Sequence, residues 1–257
     1  MDNKEYYENF NWDDAHLNEK LKNKIQQIVS IIPEDVNTIL DVGCGDGAIS
    51  NELNVKFEVT ATDRSFNSLK YVKANKIQSS ADNLCFFDNK FDLVFSSEMI
   101  EHLPDEIFTK AMKEFQRLSK KYIMLSFPNN ENIGKNLVQC VKCTTNFNKS
   151  YHLRSLNKYN VQKLLPSYKL INSFETGTPI RGYHHKLLNI KHKYAKASSW
   201  IPKHWTPDGR RVTMCPACNH SFDIPFKFSL TAFFCDSLNV FLSPKKPYQI
   251  CLLFEKQ

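Results

Sequence analysis

The stretch Ile39 to Ser50, "ILDVGCGDGAIS", places Gly43, Gly45 and Gly47 on alternate positions, although the whole chain of 257 residues has only 7 glycines. Glycine costs backbone entropy and is kept where the chain must take positive φ or where a ligand must touch the backbone. An apolar run entering the cluster and a helical pattern leaving it describe a strand, a binding turn and a helix. In an open α/β sheet such a turn lies beyond the carboxyl end of its strand, where ligands bind.

The flanking periodicity repeats that unit. A helical pattern in "HLNEKLKNKIQQIVSII" (His16 to Ile32) precedes "TILDV"; then "FEVTATD" (Phe57 to Asp63) reads as a strand and "SFNSLKYVKA" as a helix. "FDLVFSS" (Phe91 to Ser97), "DEIFTKAMKEFQRLS" and "KYIMLSFP" continue as strand, helix and strand. A helix near Leu156 to Leu165, a strand near Tyr168 to Thr176 and a closing strand "YQICLLFEK" complete the series. This rhythm predicts a doubly wound α/β fold with a mostly parallel sheet. The stretch from Gly177 to Pro247 is too long for a hairpin loop and reads as an inserted subdomain. The expected layout is a core over 1–176 with a knuckle-like loop at 135–150, an insertion over 177–247 and the last core strand over 248–257.

A hydrophobic content of 42% fills a core of this size, and no apolar run reaches the roughly 18 residues of a membrane span. The amino-terminal "MDNKEYYENFNWDD" is acidic and aromatic and lacks the pattern of an export signal, so a cytoplasmic protein with no membrane partner is expected. The net charge is +7, concentrated in "KLLNIKHKYAKASSWIPK" (Lys186 to Lys203), which contains no acid. Such a run is a solvated helix face or a contact for a polyanion.

Two acidic positions sharpen the reading of the glycine turn. Asp63 ends the next strand about 20 residues on, where a carboxylate accepts hydrogen bonds from ribose hydroxyls. Asp82, in "SADNL", precedes the strand "FDLVFSS" and would meet an adenine amino group. A dinucleotide dehydrogenase is the competing reading, but its fingerprint is Gly-x-Gly-x-x-Gly, and this chain has Gly43-x-Gly45-x-Gly47.

In "ILDVGCGDG", "ATD", "SADNL" and "FDLVFSSEMIEHLPD" the chain resembles the class I S-adenosylmethionine-dependent methyltransferases, from roughly Tyr6 to Thr176 and again in the last strand. The resemblance implies a seven-stranded sheet with its last strand antiparallel. It also implies that Asp41 holds the methionine amino end, that Gly43, Cys44 and Gly45 line the methionine and ribose, and that Asp63 and Arg64 meet the ribose. Asp82 and Asn83 would face adenine, and Ser97 would border the cofactor.

Glu98, Glu101 and His102 in "SSEMIEHLPD" form a Glu-x-x-Glu-His spacing, and two carboxylates with an imidazole suit a divalent ion. With His152 in "YHLRSL" the set resembles the Glu-Glu-His-His metal site of small-RNA 3′-terminal 2′-O-methyltransferases, and its Glu-His part the ubiquinone-pathway O-methyltransferases. The resemblance implies a Mg²⁺-like ion chelated by two adjacent hydroxyls of the acceptor. Without a metal, His102 or His152 would be the general base.

Four of the 8 cysteines fall in two pairs, Cys140-x-x-Cys143 and Cys215-x-x-Cys218. In a reducing compartment four such thiolates point to a closed structural zinc, with His220 as a substitute ligand, pinning a lid over the acceptor pocket. Thr144 and Asn219 stand where zinc knuckles usually carry glycine. Cys44, Cys85, Cys235 and Cys251 lie in apolar contexts and read as small buried hydrophobes.

The expected activity is O-methylation of a small molecule or glycan precursor, in keeping with a resemblance to zinc-containing methyltransferases of sugar pathways. The alternative is RNA 2′-O-methylation, favoured by the Glu/Glu/His/His set, the basic charge and the aromatic residues Tyr194, Trp200 and Trp205. A non-catalytic zinc-organised binding module is a third reading.

Overall fold

The computed structural model describes residues 4–8, 18–195, 212–225 and 228–257. The elements before the central connection are α1 (Lys4–Glu8), α2 (Glu19–Ile31), β1 (Thr38–Val42), α3 (Ala48–Leu53), β2 (Glu58–Asp63), α4 (Phe66–Leu69), β3 (Asn75–Gln78), β4 (Phe91–Ser97), α5 (Asp105–Leu118) and β5 (Ser119–Pro128). After it come β6 (Leu137–Gln139), β7 (Asn146–Asn148), α6 (Lys158–Leu164), β8 (Tyr168–Thr176), β9 (Ile180–Arg181), α7 (His185–Tyr194), β10 (Val212–Met214), β11 (Ser221–Asp223), α8 (Leu230–Leu242), β12 (Lys245–Lys246) and β13 (Gln249–Lys256).

Seven strands form one sheet in the order β3-β2-β1-β4-β5-β13-β8, and β13 runs antiparallel to both β5 and β8. The central strands β1, β4, β5 and β13 are buried on both faces, as strands at the middle of a mostly parallel sheet require. Alternation along β1 shows this directly: Leu40 and Val42 pack with Phe115 and Leu118 of α5, whereas Ile39 packs with Ile28 of α2 and Leu53 of α3. The Asn18 side chain accepts from Leu21 N at 2.9 Å and starts α2, whose inward stripe is Lys24, Ile25 and Ile28.

Three local expectations differ from the structure. Only Phe66 to Leu69 of "SFNSLKYVKA" is helical, because the Asn51 amide donates to Tyr71 O at 3.2 Å and accepts from Lys73 N at 2.6 Å, which draws the following residues out of the helix. The edge strand β3 carries no apolar alternation and is exposed along its length, so no periodicity marked it. Cys85 is exposed rather than buried, and Cys44 is half-buried, while Cys235 and Cys251 are buried as expected.

The residues that leave the sheet form two small hairpins, β6-β7 and β10-β11, and a pair of packed helices, α7 and α8. No helix among the described residues is long and apolar enough to cross a membrane. Trp200, Trp205 and the end of the basic run lie outside the described residues.

Candidate active site

A cleft of about 260 Å³ opens at the carboxyl ends of β1, β2 and β4. Between β1 and β4 the strand order reverses, and such a switch point leaves a crevice between diverging connections. Gly43, Gly45 and Gly47 take φ of 77°, 56° and 76°. The turn is pinned by Gly43 N and Cys44 N, which donate to Thr62 O at 2.7 and 3.0 Å. A Cβ built on Gly43 would stand 2.3 Å from Met99 Cγ, so that position needs glycine for space as well as for φ.

Asp63 accepts from Gly45 N at 2.9 Å and from Ser65 N at 2.8 Å, one bond to each carboxylate oxygen. Each oxygen keeps lone-pair capacity toward the cleft. Burial pushes its carboxyl up from the ordinary range, while these amides pull it down. Gly43, Cys44, Gly45, Asp63, Arg64 and Ser97 all line the cleft.

Asp41, Asp82 and Asn83 do not line it. Asp41 lies beneath the turn, where it accepts from Ser50 Oγ and burial pushes its carboxyl up to about 7. Asp82 accepts from Ser80 Oγ in a tight turn closed by Asn83 N to Ser80 O, and the cleft wall there is Ser79, Ser80 and Ala81. Tyr7 and Met99, which sequence reasoning passed over, also line the cleft. The signal for Tyr7 was the aromatic pair in the acidic amino-terminal segment.

Beside the cleft, the turn Ile100–His102 and the loop carrying His152 bring Glu101, His102 and His152 together, with one ligand atom of each within 4.8 Å of the others. The loop is laced to the turn by Leu153 N to Glu101 O and Arg154 Nη1 to Ile100 O, both 2.8 Å. Glu101 is 1% exposed, and among the described residues neither carboxylate oxygen has a hydrogen-bond partner. Burial, and then the charge of Glu98, hold its carboxyl well above the usual range.

Burial and the neighbouring His152 push the His102 imidazole down to about 3, so it is neutral at ordinary pH. Its Nδ1 lies 3.2 Å from the Tyr7 hydroxyl. His152 Nδ1 is hydrogen-bonded to Glu131, a residue no motif marked. A carboxylate at one nitrogen orients the ring and raises the basicity of the other, the usual support of a metal-binding histidine.

Glu98 departs from the expected four-ligand set. Lys24 of α2 donates to Glu98 Oε1 at 3.2 Å and to Ser97 Oγ at 3.0 Å, and Ser126 Oγ donates to the same Glu98 oxygen at 3.3 Å. The buried ammonium claims this carboxylate, which is why the cluster has three members rather than four.

The hairpins β6-β7 and β10-β11 have the same layout, each with its Cys-x-x-Cys between three-residue strands. Cys140 Sγ lies 3.7 Å from Cys218 Sγ and Cys143 Sγ 3.6 Å from Cys215 Sγ, and all four sulfurs are within 4.8 Å of one another. Thr144 and Asn219 take φ of 59° and 54°, filling the positions where glycine was expected. His220 is not in the set; its carbonyl accepts from Cys215 N at 2.9 Å and its ring stacks on Phe222. The hairpins reach the site through Tyr151, which precedes His152 and whose hydroxyl donates to Met214 O at 3.0 Å.

A larger groove of about 1000 Å³ runs from Glu131 along Asn129, Asn132, Asn157, Tyr159 and Tyr248. Two of its cations are used internally: Lys135 Nζ donates to Arg181 O at 2.7 Å, and the Arg181 guanidinium donates to Val240 O and Ser243 O.

The sheet order, the glycine turn and the acid at the end of β2 together define the class I S-adenosylmethionine-dependent methyltransferase fold. A structure of an S-adenosylmethionine-dependent methyltransferase from Archaeoglobus fulgidus superposes with a TM-score of 0.58 at 16% identity, over 98% of this chain and 100% of that one. A family profile described as a methyltransferase domain matches residues 39–122. The chain is similar to an uncharacterized protein of Methanocaldococcus jannaschii, 39% identical over 84 residues, covering 32% of this chain and 36% of that one. It is also similar to the chloroplastic tocopherol O-methyltransferase of Arabidopsis thaliana, 33% identical over 97 residues, covering 33% of this chain and 27% of that one. The match thus spans about a third of the length of these curated relatives.

Proposed function

We propose that the protein is an S-adenosylmethionine-dependent O-methyltransferase acting on a small polyhydroxylated molecule or glycan precursor. The observation that carries this reading is the buried Glu101 carboxylate, unpartnered on both oxygens among the described residues, beside His102 and His152 at the edge of the cofactor cleft. A carboxylate in that state is costly to the fold unless something binds it.

S-adenosylmethionine bound in the cleft would present its sulfonium methyl. Asp63 would hold its ribose, and the glycine turn would let its body approach the backbone. A divalent ion held by Glu101, His102 and His152 would lower the pKa of an acceptor hydroxyl. Glu131 keeps the His152 ring oriented, and Tyr7 closes the site from the amino-terminal helix over His102. Asp41, Asp82 and Asn83 act from behind the wall, shaping the turns that contact the cofactor.

The four cysteines would hold a structural zinc. Sulfur separations of 3.6 and 3.7 Å match the edge of a tetrahedron with zinc–sulfur bonds of about 2.3 Å, and four thiolates leave no open position. Its role is to tie the two hairpins together and so fix the loop from Tyr151 to His152. In this reading 1–176 and 248–257 form the cofactor-binding core, and 177–247 completes the acceptor side.

The acceptor class follows from the large groove. Amides and tyrosines suit sugar hydroxyls. RNA 2′-O-methylation remains the second reading because it uses the same carboxylate-histidine cluster. The test is methyl transfer from labelled S-adenosylmethionine to pyranosides with neighbouring hydroxyls, with and without EDTA at a level that retains zinc. Loss in chelator, recovery with Mn²⁺ and discrimination against deoxy analogues are expected. Full activity in chelator would make His102 or His152 a base acting without metal.

A further inference from the structure

Helix α8 is inverted relative to an ordinary surface helix. Its inner side carries the buried Ala232, Cys235 and Asn239 and is tied by polar bonds to α7 and the residues before it. Asn239 Oδ1 accepts from His184 N at 2.9 Å and its amide donates to Gly182 O at 2.9 Å. Asp236 accepts from Tyr183 Oη and from Lys191 Nζ at 2.5 and 2.8 Å. The outer side, at the i, i+4, i+8 and i+11 positions of one stripe, is apolar: Leu230, Phe234, Leu238 and Phe241 are 60, 55, 53 and 86% exposed. A soluble surface rarely spends contiguous large side chains in this way unless something covers them.

The surroundings say what covers them. Over 182–195 and 228–248 the chain has Lys186, Lys191, Lys193, Lys245 and Lys246 but a single acid, Asp236, which Lys191 already neutralises. Lys245 and Lys246 are exposed immediately beyond the carboxyl end of α8, and Lys193 lies 5.2 Å over the exposed Tyr194 ring on α7. An apolar aromatic stripe that ends at the exposed pair Lys245 and Lys246 complements an interface that is apolar within and anionic at its border. A second copy of this chain would bring the same lysines against one another.

We propose that α8 is a peripheral membrane anchor, seating Phe234 and Phe241 among the acyl chains of an anionic bilayer while the flanking lysines meet the headgroups. The basic run beginning at Lys186 then serves a lipid surface rather than a nucleic acid. Association of this kind needs no spanning helix, and it revises the expectation that the protein has no membrane partner. It is independent of which acceptor is methylated.

The test is flotation of the purified full chain with vesicles of phosphatidylcholine containing a minority of phosphatidylglycerol, and with vesicles of phosphatidylcholine alone. Binding to the anionic vesicles should weaken with salt and fall at least about tenfold on neutral vesicles. Phe241→Ser and, separately, Phe234→Ser should reduce binding by about the same factor, and the Lys245→Glu, Lys246→Glu double variant should reduce it on anionic vesicles only. Binding of S-adenosylhomocysteine should be unchanged in all of them, because α8 lies outside the cleft. Failure of the wild-type chain to float, or equal flotation of the serine variants, would overturn the proposal. So would a concentration-dependent dimer that Phe241→Ser dissociates in sedimentation equilibrium, since a second copy would then own the face.

Discussion

Replacing Glu101 with leucine separates a residue kept for the fold from one kept for a ligand. In the metal-free protein its carboxylate is 1% exposed, lacks any hydrogen-bond partner among the described residues and feels the charge of Glu98. A buried polar atom left unsatisfied costs about 1–3 kcal/mol, and leucine is close to glutamate in volume. Glu101→Leu in chelator should therefore be more stable than wild type by about 1–3 kcal/mol, or roughly 2–10 °C in Tm for a chain of this length.

The pH dependence has a definite sign. The folded state holds Glu101 protonated above its ordinary value of 4.5, whereas the unfolded chain releases that proton, so wild-type stability falls as pH rises beyond 4.5. The advantage of the leucine variant should therefore grow as pH rises above 4.5. Adding Mn²⁺ should reverse the order, because only the wild type gains from binding. Thermal melts by circular dichroism, in chelator and in Mn²⁺, read all three effects. A leucine variant that is less stable in chelator, with an undiminished response to Mn²⁺, would mean that the carboxylate serves packing or another partner, and the metal reading would fall.

Three further outcomes can be measured directly. Asp63→Ala should weaken S-adenosylhomocysteine by about 1–3 kcal/mol in calorimetry, because charge-assisted bonds are lost; unchanged affinity would remove Asp63 from the site. Gly43→Ala should cost about 2–5 kcal/mol in denaturant titration, combining the left-handed backbone with the collision against Met99, and a neutral result would refute the close approach. Elemental analysis should find close to one zinc per chain, and Cys143→Ser should lose it together with solubility; a metal-free, well-folded wild type would leave the two hairpins without a reason.

The parts of the site that were legible in the sequence share a physical origin. Alternate glycines mark positive φ, and each Cys-x-x-Cys marks the turn of a hairpin, because both depend on backbone conformation within a few residues. The strand and helix rhythm is of the same kind, and it yielded the doubly wound, mostly parallel sheet, whereas the antiparallel last strand was implied by the family resemblance alone. It failed at β3, where an exposed edge has no apolar alternation, and at the end of α4, where one asparagine amide redirected the chain.

What only the tertiary structure decided concerns partners distant in sequence. Lys24 holds Glu98 away from the Glu101, His102 and His152 cluster across 74 residues, Glu131 bonds His152 across 21, and Tyr7 reaches His102 across 95. The Asp41 carboxylate turned beneath the loop rather than into the cleft because Ser50, at the buried end of α3, offered it a hydrogen bond. The outward stripe of α8 was readable as amphipathic, but which side faced the protein depended on Asn239 and Asp236 finding polar partners on and before α7. Local patterns determine which conformations a segment can adopt, whereas the pairing of a buried charge is settled by whichever group the completed fold brings within reach.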